Sequence, residues 1–178
     1  DVFRAIGLLS VPYASPQPGG MAPTSAFERM APGKVFYQTY FQQPGIAEAE
    51  LEGDVRESLL RMFYGASGSA LPAHRWRFLF EPHEKLLDTV GRPDTLPAWL
   101  SHEHLEFMTR EFSRTGFRGG LNYYRNLDFN WRHTRHLVGA RIHQPSIFIG
   151  GDLDGSVRFR QAAYDNMEQS MPGLTKKV

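Results

Sequence analysis

Two short apolar runs, separated by a long insertion, limit the fold of this chain more than any other feature. The first is Val2–Val11, which is apolar apart from Arg4 and Ser10, and the second is Ser146–Gly150, introduced by Pro145. Continuous apolar runs of this length are typical of strands buried on both faces of a parallel sheet. A parallel pair needs a crossover connection, for which a right-handed path is strongly preferred. The sequence therefore predicts an α/β protein with two parallel core strands.

The insertion between the two runs is predicted to be mostly helical. Apolar residues recur there at helical spacing, with capping residues or glycine at the ends of the stretches. The predicted helices are Ile46–Tyr64, Glu103–Arg114 and Leu121–His133, with a fourth, Val157–Ser170, after the second strand. Several prolines make residues 65–100 an irregular loop, with at most a short helix near Glu84–Thr89.

This layout divides the chain into three segments. Residues 1–15 are predicted to form a core strand and its exit, residues 16–138 a helical insertion, and residues 139–178 the next core strand, a loop and a helix. A parallel sheet of two strands leaves its edges and faces uncovered. We therefore expect the working protein to contain neighbouring strands from outside this sequence.

Composition narrows the classes of function. The formal net charge is +1 and the sequence has no basic run beyond Lys176-Lys177, so nucleic-acid binding has no electrostatic basis. Cysteine is absent, which excludes disulfides, thiolate metal sites and a cysteine nucleophile, and fits a cytosolic protein. The sequence shows neither an apolar run of membrane-spanning length nor a signal peptide. We therefore expect a cytoplasmic protein that binds neither nucleic acid nor membrane.

Two tyrosine-bearing motifs carry the most specific chemistry. The first, at residues 36–45, reads FYQTYFQQPG, and the second, at residues 117–126, reads FRGGLNYYRN. Two phenols at helix edges can point at one atom, and a pair of neutral O–H donors suits an oxygen that becomes an alkoxide. A tyrosine with the ordinary pKa of about 10 keeps its proton at neutral pH, yet can give it to a more basic alkoxide. The alternative is that these tyrosines are core aromatics that anchor helices by packing.

A loop rich in glycine and aspartate follows the second predicted strand. It reads GGDLDGSV at residues 150–157 and precedes a predicted helix. Loops at the carboxyl ends of strands in α/β sheets commonly carry function. The structural alternative is a turn in which Ser156 caps the helix. A calcium-binding EF-hand loop is excluded, because counting from Asp152 places Ala163 where a glutamate is needed.

Together the two tyrosine motifs resemble the lid of epoxide hydrolases of the α/β-hydrolase superfamily. The resemblance implies a partial α/β-hydrolase fold, with the lid at residues 16–138 inserted between the two core strands. It makes Tyr37 and Tyr124 the pair that opens the epoxide ring, and it makes Phe36 and Gln38 contacts of the substrate. The loop after the second strand resembles the one that bears the acid of the catalytic triad, which places that acid at Asp154.

The resemblance also implies a reaction. A small apolar epoxide would be hydrolysed to a vicinal diol, with no cofactor and no metal. An aspartate would form an alkyl-enzyme ester with the epoxide, and a histidine held by Asp154 would activate water to cleave it. We expect that aspartate before residue 1 and that histidine after residue 178, so this segment alone should be inactive and its partner should be the remainder of the hydrolase core. A role in detoxification and a homodimer are also compatible with the resemblance.

Two other functions stay open on the sequence alone. A dehalogenase of the same superfamily shares the aspartyl ester but must hold a halide, which favours Trp or His donors over a pair of tyrosines. A non-catalytic fragment or interaction module would account for the missing nucleophile and histidine. His133 and His136 could share a helix face, but without a third clustered ligand they predict no metal site.

Overall fold

A computed structural model describes residues 2–16 and 19–177 of the chain. The chain separates into two compact units, one made of Asp1–Gly20 and His133–Val178 and the other of Met21–Arg132. We call the first the sheet unit and the second the helical unit. Both apolar runs that predict core strands belong to the sheet unit, and both tyrosine motifs belong to the helical unit.

Short elements make up both units. The strands are β1 (Ile6–Leu9), β2 (Val35–Phe36), β3 (Leu79–Phe80), β4 (Ser146–Ile149) and β5 (Leu174–Lys177). The helices are α1 (Pro23–Met30), α2 (Tyr37–Tyr40), α3 (Ile46–Gly53), α4 (Val55–Ala66), α5 (His102–Thr115), α6 (Arg118–Arg125), α7 (Leu127–His133), α8 (Gly155–Phe159), α9 (Gln161–Asp165) and α10 (Met167–Ser170). Single turns of 3₁₀ helix lie at Pro72–His74, Leu87–Thr89 and Arg135–Leu137.

The sheet unit contains a parallel sheet in the order β1-β4-β5. Ile6 lies opposite Ser146, and Ser146 in turn lies opposite Leu174. The prediction of two parallel core strands is confirmed, although β1 is shorter than the apolar run Val2–Val11. The third strand, β5, was not predicted, because its sequence LTKK has no apolar run.

The helical segment after β4 differs from the prediction. The single helix Val157–Ser170 is wrong, since the chain forms α8, α9 and α10, interrupted at Arg160 and Asn166, where φ is −107°. The apolar side chains that suggested one long helix still face one core. That core is a buried cluster of Phe148, Val157, Met167 and Met171.

Two predicted helices of the helical unit are likewise broken. Ile46–Tyr64 is divided into α3 and α4 because Asp54 adopts an extended conformation and caps α4, its side chain accepting a hydrogen bond from the Glu57 N–H at 3.0 Å. Asp at such a position satisfies one of the unpaired amides at a helix start. Leu121–His133 is divided at Asn126 into α6 and α7.

Helix α5 agrees with the prediction of Glu103–Arg114 to within one residue at each end. The Ser101 hydroxyl accepts a hydrogen bond from the His104 N–H at 3.1 Å, as an N-cap does. Gly116 follows the helix with a φ of 69°, a conformation that favours glycine. Leu105 is fully buried and packs in a cluster with residues of α4. The local signals for a helix and its packing therefore coincide here.

A two-residue antiparallel ladder positions the first tyrosine motif. Val35 of β2 pairs with Phe80 of β3, and Phe36 pairs with Leu79. The chain turns directly from β2 into α2, and the N–H of Tyr37 continues the ladder by donating to the Phe78 carbonyl at 3.0 Å.

In the described residues, the helices are all too short or too polar to cross a membrane.

Candidate active site

Tyr37 begins α2 and lies among aromatic rings. Its ring centroid is 4.7 Å from those of Phe36 and Trp76 and 5.6 Å from that of Phe41. The tilted and edge-on arrangement of these rings is the favourable one for aromatic contacts. The backbone bond to Phe78 and this packing fix where the Tyr37 side chain lies.

Tyr124 lies in the last turn of α6 and meets Tyr37. The two ring centroids are 5.8 Å apart, with an interplanar angle of 76°, and the Tyr124 ring is 4.9 Å from that of Phe41. Burial raises the pKa of Tyr124 to about 12, helped by the charge of Tyr37 and by a hydrogen bond with the Tyr37 hydroxyl. Two motifs that are far apart in the sequence therefore bring their phenol rings into edge-on contact.

Two glutamines of the first motif contact this pair. The Gln38 side-chain amide donates a hydrogen bond to the Tyr37 hydroxyl oxygen at 2.6 Å. The Gln42 amide donates to two carbonyls, those of Gln38 at 2.8 Å and Tyr124 at 3.0 Å. Gln42 therefore joins the backbone that follows Tyr37 to the backbone of Tyr124 itself.

A largely buried ion pair lies beside the second tyrosine. The Arg125 guanidinium donates to both carboxylate oxygens of Glu48, at 2.6 and 2.9 Å, and its Nε donates to the Phe41 carbonyl at 2.9 Å. These hydrogen bonds lower the pKa of Glu48 to about 2 against the opposing effect of burial, and bonds from backbone amides assist them. Sequence reasoning missed this pair, although Glu48 stands three residues after Gly45, a spacing typical of a carboxylate that caps a helix.

Tyr40 has a different partner from Tyr37. Its hydroxyl donates to Glu50 at 2.7 Å, and the same carboxylate accepts from the backbone amides of Leu86 and Leu87. Burial, the hydrogen bond and the charge of Glu50 all raise the pKa of Tyr40. Tyr123, by contrast, is 82% exposed. Tyr40 is thus hydrogen-bonded to Glu50, and Tyr123 is exposed to solvent. The neighbouring tyrosines, Tyr37 and Tyr124, contact each other.

The predicted substrate contacts lie next to Tyr37. Phe36 is almost fully buried, and its ring centroid is 4.7 Å from that of Phe27. Gln38 is half-buried, and its amide is the group bonded to the Tyr37 hydroxyl. Contact of either residue with a substrate stays a prediction.

Asp154 lies in the sheet unit, in the loop after β4. Its carboxylate accepts a hydrogen bond from the Ser156 N–H at 2.7 Å and so caps α8. The cap is therefore Asp154 and not Ser156, which the structural alternative had named. Gly150 begins the loop under close packing, since a Cβ there would lie 2.9 Å from the side chains of Phe148 and Val157. Asp152 is exposed.

No metal site is visible in the part of the chain that the structure describes. Within residues 2–16 and 19–177, no group of three His, Asp or Glu side chains is arranged to hold an ion.

Comparison with known proteins gives consistent matches. No family model matches the chain. Epoxide hydrolase A of Mycobacterium tuberculosis is 42% identical over 178 residues, covering 100% of this chain and 54% of that protein. The chain thus spans about half the length of the curated relatives it matches.

Solved structures agree with the sequence matches. An epoxide hydrolase from an endophytic Streptomyces is similar with a TM-score of 0.91 and 44% identity, over 98% of this chain and 53% of that one. Epoxide hydrolase A from Mycobacterium thermoresistibile is similar with a TM-score of 0.84 and 37% identity, over 98% of this chain and 55% of that one. Over the half of their length that it matches, the chain is therefore a homologue of the epoxide hydrolases, which have the α/β-hydrolase fold.

Proposed function

We propose that this chain supplies the lid and the acid loop of an enzyme that hydrolyses epoxides to vicinal diols. The proposal requires an aspartate nucleophile and a histidine outside residues 1–178. The aspartate carboxylate attacks a ring carbon, the carbon–oxygen bond breaks, and the oxygen that leaves takes a proton from a phenol. The histidine then removes a proton from water, and the water oxygen attacks the ester carbonyl, so that the diol leaves and the carboxylate is regenerated. The proton held by the imidazolium returns to the phenolate, which restores the phenol.

The meeting of Tyr37 with Tyr124 is the observation that carries the proposal. A neutral epoxide oxygen needs only modest hydrogen bonding, whereas the alkoxide formed on ring opening needs much more. Two donors fixed where that charge develops therefore lower the barrier more than they stabilise the bound substrate. The pKa of about 12 supports this role for Tyr124, because the phenol keeps its proton throughout the neutral range.

The surroundings of the phenols support a small apolar substrate. The rings of Phe36, Phe41 and Trp76 pack around Tyr37, and Tyr37, Trp76 and Tyr124 all pack against the buried cluster that contains Phe41. Small-molecule sites are typically lined by apolar and aromatic side chains with a few polar groups that set orientation. The phenols would be those polar groups, and an epoxide with an apolar substituent would match the rest.

In this proposal Asp154 holds the histidine that activates water. A triad acid orients the imidazole and stabilises its charged form. The capping bond to Ser156 supports the assignment, since it fixes the carboxylate at the carboxyl end of β4. Asp154 thus combines a structural bond with the proposed catalytic contact.

The test uses the complete hydrolase that the proposal requires, with styrene oxide as the probe. Tyr37→Phe and Tyr124→Phe should each lower kcat by about 100-fold, the usual effect of losing one donor to a developing oxyanion. The double variant should retain almost no activity while its circular dichroism and melting temperature stay close to those of the parent. Tyr123→Phe is the matched control, because this exposed neighbour should be replaceable without loss. An active double variant would refute the proposal.

The same variants distinguish the proposed epoxide hydrolysis from the alternative activity, which is dehalogenation. A dehalogenase would release bromide from a bromoalkane at a rate that does not depend on the two phenols. If the parent protein releases bromide and leaves styrene oxide intact, the dehalogenase function replaces the one proposed here. If it does neither, the chain belongs to a protein that binds without catalysis.

A further inference from the structure

The side chain of Gln42 forms a bridge between the two tyrosine motifs. Its single amide nitrogen donates to the Gln38 carbonyl at 2.8 Å and to the Tyr124 carbonyl at 3.0 Å. The first acceptor belongs to α2, which Tyr37 begins, and the second is the backbone of the other phenol. Both amide hydrogens are therefore used to hold two backbones at a fixed separation.

This bridge lies next to the two phenols, where a small movement of either backbone would change the distance between the two rings. The phenol rings are 5.8 Å apart, and the ring of Phe41, which precedes Gln42, packs against both. Helices as short as α2 and α6 depend on tertiary contacts, here the ring packing and the bond from the Arg125 Nε to the Phe41 carbonyl at 2.9 Å, and a shift of one helix against the other would move the phenols apart. Hydrogen bonds from a half-buried amide to both backbones restrict such a shift, since breaking them leaves two carbonyls poorly satisfied.

We infer that Gln42 is a positioning residue, which fixes the separation of the two phenols by holding the backbone of Tyr124 against the segment that carries Tyr37. Its catalytic meaning rests on the proposed function. Gln42 acts through the two carbonyls and does not itself contact the reacting oxygen. Neither the sequence motifs nor the comparisons assign it this role.

The decisive variant is Gln42→Glu in the complete hydrolase. The carboxylate has the shape of the amide but cannot donate, and it repels both carbonyls. We expect the single-turnover rate of ring opening to fall by about 10- to 100-fold at neutral pH, which is the order of loss from misplacing a catalytic group. Protonation of the new carboxyl restores one donor, so the rate should partly recover as the pH is lowered toward 5. A purely structural role predicts no such recovery.

Two further variants control for charge and for size. Gln43→Glu adds the same charge one residue later, at an exposed position, and should leave the rate and its pH profile unchanged. Gln42→Ala removes both donors and should lower the rate at every pH without recovery. If Gln42→Ala fails to fold, the comparison of Gln42→Glu with Gln43→Glu still decides the matter.

A spectroscopic measurement makes the inference independent of activity. With 3-fluorotyrosine incorporated, the ¹⁹F resonance of Tyr124 can be assigned by its loss in Tyr124→Phe. We expect this resonance to shift in Gln42→Glu and to stay in place in Gln43→Glu. If the double Tyr→Phe variant proves active, the proposed function fails, yet a shifted resonance still supports the bridge. A folded Gln42→Glu protein with unchanged resonance and unchanged rate would overturn the inference.

Discussion

The carboxylate of Glu48 is held by the guanidinium of Arg125 through two parallel hydrogen bonds of 2.6 and 2.9 Å. The side chains are only 12% and 13% exposed, respectively. A bidentate pair of this kind is stronger than a single ionic contact. It ties α3 to α6 next to Tyr124, so the pair stabilises the arrangement from which the proposed chemistry starts.

This pair should make the protein sensitive to acid. The pKa of Glu48 is lowered from 4.5 to about 2, so its contribution to stability is complete above pH 4.5 and is lost as the pH falls toward 2. The contribution is at most about 3 kcal/mol, from the linkage between a pKa shift and the free energy of unfolding. Urea denaturation at pH 7, 4 and 3 should show a falling midpoint, and Glu48→Gln should be less stable than the parent at pH 7 and less dependent on pH.

An exposed ion pair supplies the control for this prediction. Arg56 and Glu106 contact each other at 2.6 Å, but their side chains are 41% and 49% exposed. Exposed pairs contribute little, because water and salt screen them. Glu106→Gln should therefore leave the urea midpoint nearly unchanged. Equal effects of the two substitutions on the urea midpoint would show that the Glu48–Arg125 pair stabilises the protein no more than an exposed pair does.

Tyr40 offers a test that separates stability from catalysis. Its hydroxyl donates to Glu50, which also binds the backbone of Leu86 and Leu87. Tyr40→Phe should lower the free energy of unfolding by about 1.5–3 kcal/mol, the range for a hydrogen bond to a charged group. Ring opening should be nearly unaffected at temperatures where the variant is folded. Tyr124→Phe should show the reverse pattern, and a Tyr40→Phe enzyme that is stable but inactive would contradict the division of roles.

The alkaline limb of stability should depend on Tyr124. Its pKa is raised to about 12, so the folded protein holds this proton more tightly than the unfolded chain, whose tyrosines titrate near 10. Stability from this group is therefore complete below pH 10 and is lost as the pH rises toward 12. Thermal melts between pH 9 and 11 should show a smaller decline in Tyr124→Phe than in the parent. An identical decline in both proteins would contradict this source of the alkaline loss.

Capping residues, apolar spacing and glycines predicted a helix correctly where the tertiary packing of that helix agrees with these sequence signals. Helix α5 has a serine cap, apolar residues at helical spacing and a glycine after its end, and all three act in the structure. The break at Asp54 was missed, although Gly53-Asp54 combines a poor helix former with a good N-cap. The apolar spacing continues through this break, and for that reason it indicates a single helix.

Contacts between distant residues could not be predicted by spacing. Strands β2 and β3 have two residues each, too few to show an alternating pattern, and only their pairing reveals them. The same is true of the bond from Gln42 to Tyr124 and of the Glu48–Arg125 pair. The proximity of Tyr37 and Tyr124 was expected from the resemblance of the two motifs to a family, which carries information about distance that one sequence lacks.

The edge of the sheet should govern solubility. In the described residues β1 lies at the edge of its sheet, and Leu9 is 72% exposed, while Val2 and Phe3 before the strand are 90% and 68% exposed. Exposed apolar strand edges favour association with other chains. We expect the 178-residue chain to aggregate on light scattering and Leu9→Lys to aggregate less. A monomeric parent that melts cooperatively would show that this edge is not a liability.

A pair of variants can separate the capping role of Asp154 from its proposed catalytic role. Asparagine is as good an N-cap as aspartate, so Asp154→Asn should keep the bond to the Ser156 N–H and the stability of α8. Alanine cannot cap, so Asp154→Ala should be less stable by about 1 kcal/mol. Neither variant supplies the charge that a histidine needs to act as a base. Both should therefore lose turnover, although only one loses stability.

The step that fails in Asp154→Asn should be hydrolysis of the ester. In the proposed mechanism, ring opening requires the nucleophile and the two phenols, which this substitution leaves in place, whereas water activation requires a histidine oriented by the carboxylate. In the complete hydrolase a covalent intermediate should accumulate, giving a burst of about one equivalent of alkylated protein that rapid-quench mass spectrometry detects. Asp152→Asn, at the exposed neighbouring position, should turn over normally. If instead Asp152→Asn traps the ester and Asp154→Asn does not, the acid is Asp152 and the role of Asp154 is limited to capping α8.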